Sequence, residues 1–122
     1  MIRDTDRKIT RENPQGGKGL MEVYPILEAH EMENQVTLLA KAALKAGASI
    51  GVHRHHGEME AYYILDGTGI FTDDDGSRRE VCAGCICAIW PGQSHGLENA
   101  RKDKDLVFLA MVVPESGLDE RP

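Results

Sequence analysis

The stretch GVHRHHGEMEAYYILDG, residues 51–67, contains three of the five histidines of the chain and two of its glutamates. Its second half, EAYYIL, has the length and the aromatic and β-branched content of a strand. Imidazole and carboxylate groups on the inward face of a strand cost free energy unless they have partners. His53 and His55 are two residues apart, which on a strand directs both rings to one face. This spacing indicates a pair of metal ligands.

Two further residues complete a candidate metal site. Glu60 begins the EAYYIL strand, and His95 follows WPGQS at the start of a later strand. Three imidazoles and one carboxylate suit one divalent transition metal and leave coordination positions open for water or a substrate. The donor set does not choose among Mn, Fe, Ni, Co and Zn. The predicted metal ligands are His53, His55, Glu60 and His95.

Several nearby polar residues have alternative interpretations. Taken singly, each histidine could be an ordinary hydrogen-bonded strand residue. Glu58 shares its strand parity with Glu60 and is the rival carboxylate. His56 points away from His55 on a continuing strand, which predicts a position in solvent or at the rim, and His30 reads most simply as a loop residue.

The aromatic residues near the site are also ambiguous. Tyr62 shares the parity of Glu60, so it either lines the cavity or packs in the core, whereas Tyr63 is expected to point outward. Trp90 and Met111 could likewise line a pocket or pack.

Length and charge restrict the class of protein. A chain of 122 residues is expected to form one domain with a real core. The formal net charge is -6 and no Lys/Arg cluster forms a basic stripe, so nucleic acid is not an expected partner. No apolar stretch of signal-peptide or membrane-spanning length occurs, which predicts a cytoplasmic protein with no membrane partner.

Cys82, Cys85 and Cys87 crowd into one strand-like run. An odd number of closely spaced cysteines suits a reducing compartment better than a disulfide framework. A zinc knuckle would need a second ligand pair, and the nearby histidine is assigned to the other site. We therefore expect simple strand packing, with free cysteine as a small apolar residue.

Short apolar runs recur from residue 20 onward and predict strands separated by turns. TLLAKAALKAG has helical propensity, but its neighbours favour a strand, and DDDGSR predicts a tight hairpin. Many short strands without a convincing helix predict an antiparallel sandwich or barrel. The predicted organisation is an N-terminal arm (1–19), a barrel domain (20–113) and a polar C-terminal tail (114–122).

Two motifs resemble those of the cupin superfamily. The first, G-x5-HxH-x4-E-x6-G, is filled without a gap, and the second, G-x5-PxG-x2-H-x3-N, departs only where Trp90 replaces the expected proline beside Pro91. Matching positions are Gly47, His53, His55, Glu60, Gly67, Gly84, Gly92, His95 and Asn99. The glycines fit barrel corners with positive φ, and Asn99 fits a structural hydrogen bond to a turn.

The resemblance implies an all-β fold, a double-stranded β-helix with a jelly-roll-like cupin barrel of six to eight strands in a single domain. It does not select a function, because cupins include oxygenases, decarboxylases, isomerases, lyases and binding proteins. We expect a metal-dependent enzyme acting on a small polar molecule, either a carboxylic or hydroxy acid or a sugar. The alternative is a non-catalytic binding or sensor cupin, and no catalytic residue is assigned. The polar arm followed by LMEVYPIL is suited to pairing with the sheet of another subunit and so suggests a homodimer, as in similar cupins.

Overall fold

A computed structural model describes residues 1–117. These residues form two antiparallel sheets, one with the strand order β1-β2-β3-β10-β5-β8 and one with the order β4-β9-β6-β7. The part of the predicted tail from residue 118 to residue 122 lies outside the described residues. The strands are β1 (Ile9–Glu12), β2 (Leu20–Leu27), β3 (Leu38–Leu44), β4 (Ser49–Arg54), β5 (Glu58–Asp66), β6 (Thr68–Thr72), β7 (Arg78–Cys82), β8 (Ile86–Ile89), β9 (Ser94–Asn99) and β10 (Leu106–Pro114).

The predicted all-β fold is confirmed, but the predicted count of six to eight strands is wrong. The described residues contain ten strands and no α-helix, with single 3-10 turns at Pro14–Gly16, Ala29–Met32 and Glu115–Gly117. Each apolar run in the sequence forms a strand, because even the shortest runs find a partner in the sheets. None of the helical turns described for residues 1–117 is long and apolar enough to cross a membrane.

The apolar runs account for nine of the ten described strands. The remaining strand, β1, comes from the polar N-terminal arm, where the sequence shows no hydrophobic period. β1 pairs antiparallel with β2 of the same chain, with Ile9 opposite Val23 and Arg11 opposite Met21. A following bridge joins Lys18 to Ser49 at the start of β4. The arm therefore pairs with the chain's own sheet, and the expectation that it pairs with the sheet of another subunit is wrong for β1. Its boundary with the barrel domain remains a prediction.

The segment with helical propensity is a strand, as predicted. β3 lies between β2 and β10 and pairs with both. Its alanines Ala40 and Ala42 are buried against the core. Pairing on two sides and burial of one face outweigh the weak preference of alanine for helix.

The core lies between the two sheets. Its largest fully buried side chains are apolar with one exception, since His95 is 0% exposed. The apolar members of that set are Phe108, Leu44, Ile64, Ile89, Leu97 and Leu106. A completely buried imidazole among them marks the place where the core departs from simple packing.

The cysteines do not share one strand, which corrects the sequence interpretation. Cys82 ends β7 and is exposed, Cys85 is in the following turn, and Cys87 is buried on β8. Strand packing holds for Cys87 and, in part, for Cys85, which packs against the core. Among residues 1–117, the cysteines form no group of three or more close ligand atoms, so the zinc-knuckle alternative has no support.

The motif glycines lie at corners, as predicted. Gly47, Gly67, Gly84 and Gly92 have φ values of 71°, 96°, 94° and 87°. Gly67 carries a second constraint, because a Cβ there would lie 2.7 Å from the carbonyl oxygen of Asp105.

Asn99 has the structural role that was predicted for it. Its Nδ2 donates to the carbonyl oxygens of Leu44, Lys45 and Lys104 at 3.0, 3.2 and 2.8 Å. Its Oδ1 accepts from the backbone N–H of Arg101 at 2.9 Å. This buried side chain therefore joins the end of β9 to the loops after β3 and before β10.

Replacing Asn99 by alanine is expected to lower the free energy of unfolding by roughly 1–3 kcal/mol, because partly buried carbonyl groups lose their donor. Urea denaturation followed by tryptophan fluorescence measures the change. The control is Gln35→Ala, an exposed amide that is expected to change stability by less than about 0.5 kcal/mol. Equal stability of the Asn99→Ala and Gln35→Ala proteins would contradict this structural role.

Candidate metal centre

Both sheets contribute to the candidate site. His53 on β4 and His95 on β9 are direct cross-strand partners in the four-stranded sheet. His55 follows the end of β4, where its N–H donates to the carbonyl oxygen of Gln93 at 2.9 Å. Glu60 lies on β5 of the six-stranded sheet. The site therefore forms only when the two sheets pack face to face.

All four residues that the sequence singled out converge on one region. Their nearest ligand atoms lie within 4.8 Å of one another. The Nε2 atoms of His53 and His55 are 3.0 Å apart. Oε1 of Glu60 lies 3.0 Å from Nε2 of His55 and 3.1 Å from Nε2 of His95. Three nitrogens and one carboxylate oxygen thus surround a common point.

Neighbouring acceptors fix the orientation of two of the rings. Nδ1 of His53 lies 2.7 Å from the carbonyl oxygen of Gly51, and Nδ1 of His55 lies 2.8 Å from Oε1 of Glu58. Both partners are acceptors, so Nδ1 carries the proton in each neutral ring. The lone pair of each Nε2 then points into the cluster. Two such lone pairs at 3.0 Å repel unless a proton or a cation lies between them.

His95 supplies the clearest sign that the cluster fits a metal ion. The ring is 0% exposed, and neither of its nitrogens has a hydrogen-bond partner. Its Nε2 is close to Glu60 in distance, but the contact lacks hydrogen-bond geometry. Buried polar atoms in native proteins are rarely left without a partner. A metal ion at the common point would be that partner for Nε2.

Aromatic rings hold His95 in place. The Tyr62 ring stacks on it, with centroids 5.1 Å apart and an interplanar angle of 16°. The Phe71 ring meets it edge-on at 5.9 Å. The Tyr62 hydroxyl also donates to Oε1 of Glu60 at 3.1 Å. Tyr62 thus contacts two of the four candidate ligands.

The ionisation states suit a cation site. Burial alone raises the pKa of Glu60, but the nearby imidazoles of His55 and His95 outweigh it and lower that pKa to about 2. Burial lowers the pKa of His53 below its usual value. Hydrogen bonding to Glu60 raises the pKa of His55, and burial raises the pKa of Tyr62 well above its ordinary value. Glu60 is therefore a carboxylate, and Tyr62 a neutral phenol, at neutral pH.

The structure gives positions for the polar residues near the site that have alternative interpretations in the sequence. Glu58 lies outside the group of four and instead orients His55, a role that the sequence interpretation missed although the two residues are only three apart. His56 is exposed, as predicted, and His30 is exposed in the turn Ala29–Met32. A carboxylate that accepts from Nδ1, as Glu58 does from His55, fixes the tautomer of a ligating histidine.

The aromatic residues and Met111 also have definite positions. Tyr62 is buried and lines the cavity beside the histidines, whereas Tyr63 is exposed, as predicted. Trp90 is exposed and borders a separate groove near Phe71, so it does not shape the candidate metal site. Met111 is half-buried and lies opposite Leu39 and Ala61 in the register.

A cavity of about 450 Å³ adjoins the site. His53, His55, Glu60 and Tyr62 form its polar end. Apolar side chains form much of the remaining wall, namely Met21, Val23, Leu38, Ile50 and Val112. The N-terminal segment from Arg11 to Gln15 borders it as well, which sequence analysis did not anticipate because it depends on the pairing of β1 with β2.

The model of the Cupin domain family matches residues 40–112. The chain belongs to the cupin family. It is 42% identical to the "Oxalate-binding protein" of Thermotoga maritima over 101 residues. These aligned residues cover 83% of this chain and 82% of that protein. The fold and both histidine motifs are thus those of a cupin.

Solved structures agree with this assignment. The crystal structure of a predicted oxalate decarboxylase from Thermotoga maritima superimposes with a TM-score of 0.88 at 37% identity, covering 93% of this chain and 99% of that one. The polyketide cyclase RemF from Streptomyces resistomycificus gives a TM-score of 0.72 at 21% identity, covering 100% of this chain and 82% of that one. The latter likeness shows the fold alone.

Proposed function

We propose that this cupin is a metal-dependent enzyme that acts on a small carboxylic acid, with oxalate as the first candidate. The observation that carries the proposal is the convergence of three imidazoles and one carboxylate at the end of a cavity of about 450 Å³. The names oxalate-binding protein and predicted oxalate decarboxylase, both from Thermotoga maritima, support the choice of ligand. Among residues 1–117, Tyr62 is the single Phe, Tyr or Trp residue that lines the cavity, which disfavours a large flat substrate.

In this proposal His53, His55, Glu60 and His95 hold one divalent transition metal, namely Mn, Fe, Ni, Co or Zn. Such an ion supplies a Lewis acid with positions open to a carboxylate oxygen. Glu58 and the carbonyl of Gly51 keep the two ligating rings in the tautomer that presents Nε2. The apolar wall excludes water from the bound acid and so strengthens its electrostatic contacts.

The alternative is a cupin that binds the acid without turning it over. A specific observation favours it: the Tyr62 hydroxyl is engaged with Glu60, and burial keeps its pKa far above neutral. Among residues 1–117, the polar end of the cavity therefore offers no general base apart from the candidate ligands. The enzyme interpretation needs an acid or base from the cavity rim or from the substrate itself.

Turnover under defined metal loading separates the two interpretations. We expect protein loaded with Mn or Fe to bind oxalate in calorimetry and to consume it in a coupled assay for formate and CO₂. The metal-free protein should do neither. Binding of oxalate without its consumption, with each of the five metals, would favour the non-catalytic alternative. Absence of oxalate binding with all five metals would refute both interpretations.

Metal stoichiometry tests the ligand set. His53→Ala and His95→Ala each remove one donor and are expected to lose most of the bound metal, measured by inductively coupled plasma mass spectrometry. His56→Ala is the matched control, because His56 is exposed and only one residue from His55. Full occupancy in the His53→Ala and His95→Ala proteins, with loss in His56→Ala, would show that the ligand assignment is wrong.

The same measurement has a pH dependence with a defined sign. Metal binding requires neutral imidazoles, so protons compete with the metal as the pH falls. The pKa of His55 is raised, which makes this ring the easier of the two to protonate on acidification, whereas the lowered pKa of His53 delays its protonation. Metal occupancy should therefore fall as the pH drops through about 6.5. The fall should extend to lower pH values, because the bound metal competes with protons for the imidazole nitrogens. Constant occupancy down to pH 4 would contradict imidazole ligation.

The protein is further proposed to form a homodimer in the cytoplasm. The outer face of the six-stranded sheet exposes Tyr63, Leu65 and Ile86, and Tyr63 lies opposite Ile86 in the register. Such a surface favours a second copy, and the free cysteines favour a reducing compartment. Sedimentation is expected to show a dimer at micromolar concentration that Ile86→Glu converts to monomer. A monomeric wild-type protein would refute the dimer.

A further inference from the structure

Arg11 lies on the face of β1 that borders the cavity. It is the register partner of Met21, and Ile9 is the partner of Val23. Directly opposed residues of an antiparallel pair project to the same side of the sheet. Met21 packs against the core, and both Met21 and Val23 line the cavity. Arg11 therefore lies at the exposed rim of the cavity that ends at the histidine cluster.

Within residues 1–117, Arg11 is the single lysine or arginine that borders this cavity. The basic residues that precede it on the arm are paired: Arg3 with Glu31, Arg7 with Glu28 and Lys8 with Glu22. No side-chain hydrogen bond or ion pair among the described residues engages Arg11. An unpaired guanidinium beside an apolar wall has five donors available to a ligand.

The acidic neighbour of Arg11 does not neutralise it. Glu12 is the register partner of Leu20, which is exposed, so the alternation of β1 turns this side chain to the other side of the sheet. The cavity contains one carboxylate at its polar end, Glu60, and both Arg11 and Glu12 border its rim, with the side chain of Glu12 turned to the other face of the strand. With a divalent ion bound, the metal, Arg11 and Glu60 together carry two net positive charges on the cavity side of the strand, which matches a ligand with two negative charges.

We propose that Arg11 is a specificity-determining residue that selects small dicarboxylates. One carboxylate of the ligand binds at the metal, and the other accepts two hydrogen bonds from the guanidinium. The planar fork of arginine matches a carboxylate in this way, whereas a monocarboxylate leaves it without a partner. This inference rests on the proposed binding of a carboxylic acid at the metal and adds the requirement for a second charge.

The segment after β1 fixes the position of Arg11 relative to the metal ligands. A Cβ at Gly51 would lie 2.3 Å from the carbonyl oxygen of Gln15, and one at Gly17 would lie 2.0 Å from that of Ser49. The turn at Pro14–Gly16 therefore packs directly on β4, the strand that carries His53. Rigid attachment of this kind favours a ligand of defined length.

The test compares Arg11→Gln with Arg7→Gln in metal-loaded protein by isothermal titration calorimetry. Arg7→Gln removes the same charge from the same arm, but Arg7 pairs with Glu28 and does not border the cavity. The ligands are oxalate, malonate and monomethyl malonate, the last of which has nearly the length of malonate but one charge fewer. Metal content and circular dichroism of each variant are measured on the same samples.

Arg11→Gln is expected to weaken binding of the tighter of the two dianions by about 10- to 100-fold, the usual effect of losing a charge-assisted contact. Monomethyl malonate should change by less than about 2-fold, and Arg7→Gln should leave every affinity and the metal content unchanged. An equal loss for the dianions and the monoester, or no loss for either, would overturn the role of Arg11 while leaving metal-dependent carboxylate binding intact. Failure of wild-type metal-loaded protein to bind any of the three acids would overturn the proposed function and this inference together.

Discussion

The pairing of β4 with β9 is the constraint on which the candidate site depends. It places His53 directly opposite His95, after a register shift between Ile50 and His53. A slip of one residue would turn His95 from the core to the other face of its sheet. Gly96 contributes to this fit, since a Cβ there would lie 3.2 Å from the carbonyl oxygen of Ile50. The register of β4 on β9 therefore determines both the close approach of the two strands and the meeting of the imidazoles.

Much of this arrangement could be predicted from the sequence, because it depends on short-range spacing. The apolar runs identify the strands from β2 onward, and the spacing of His53, His55, Glu60 and His95 identifies residues that the fold does bring together. β1 escaped prediction because its residues are polar and its order comes from β2. The interpretation of the cysteines as one strand was wrong because Gly84, with φ of 94°, forms between β7 and β8 the corner that the motif predicts.

The parts of the site that spacing could not supply are those formed by contacts between elements. Glu58 looked like a rival for Glu60, yet the direction of its side chain makes it the partner of Nδ1 of His55. Arg11 is 42 residues before His53 in number, and only the register of β1 on β2 brings it to the cavity. Strand parity predicts which face a residue occupies, but it does not predict which faces meet.

The protein holds each of the four candidate ligands through a group outside the set of four. Gly51 fixes His53, Glu58 fixes His55, Tyr62 stacks on His95 and also donates to Glu60. A cation entering such a cluster would need little further ordering of side chains, so most of its interaction free energy would appear as affinity. Placing the Nε2 lone pairs close together and burying an imidazole both cost free energy. Burial of the apolar core around Phe108 and Leu97 on folding offsets that cost. Stability of the barrel and readiness of the site for a cation therefore come from the same packing of the two sheets.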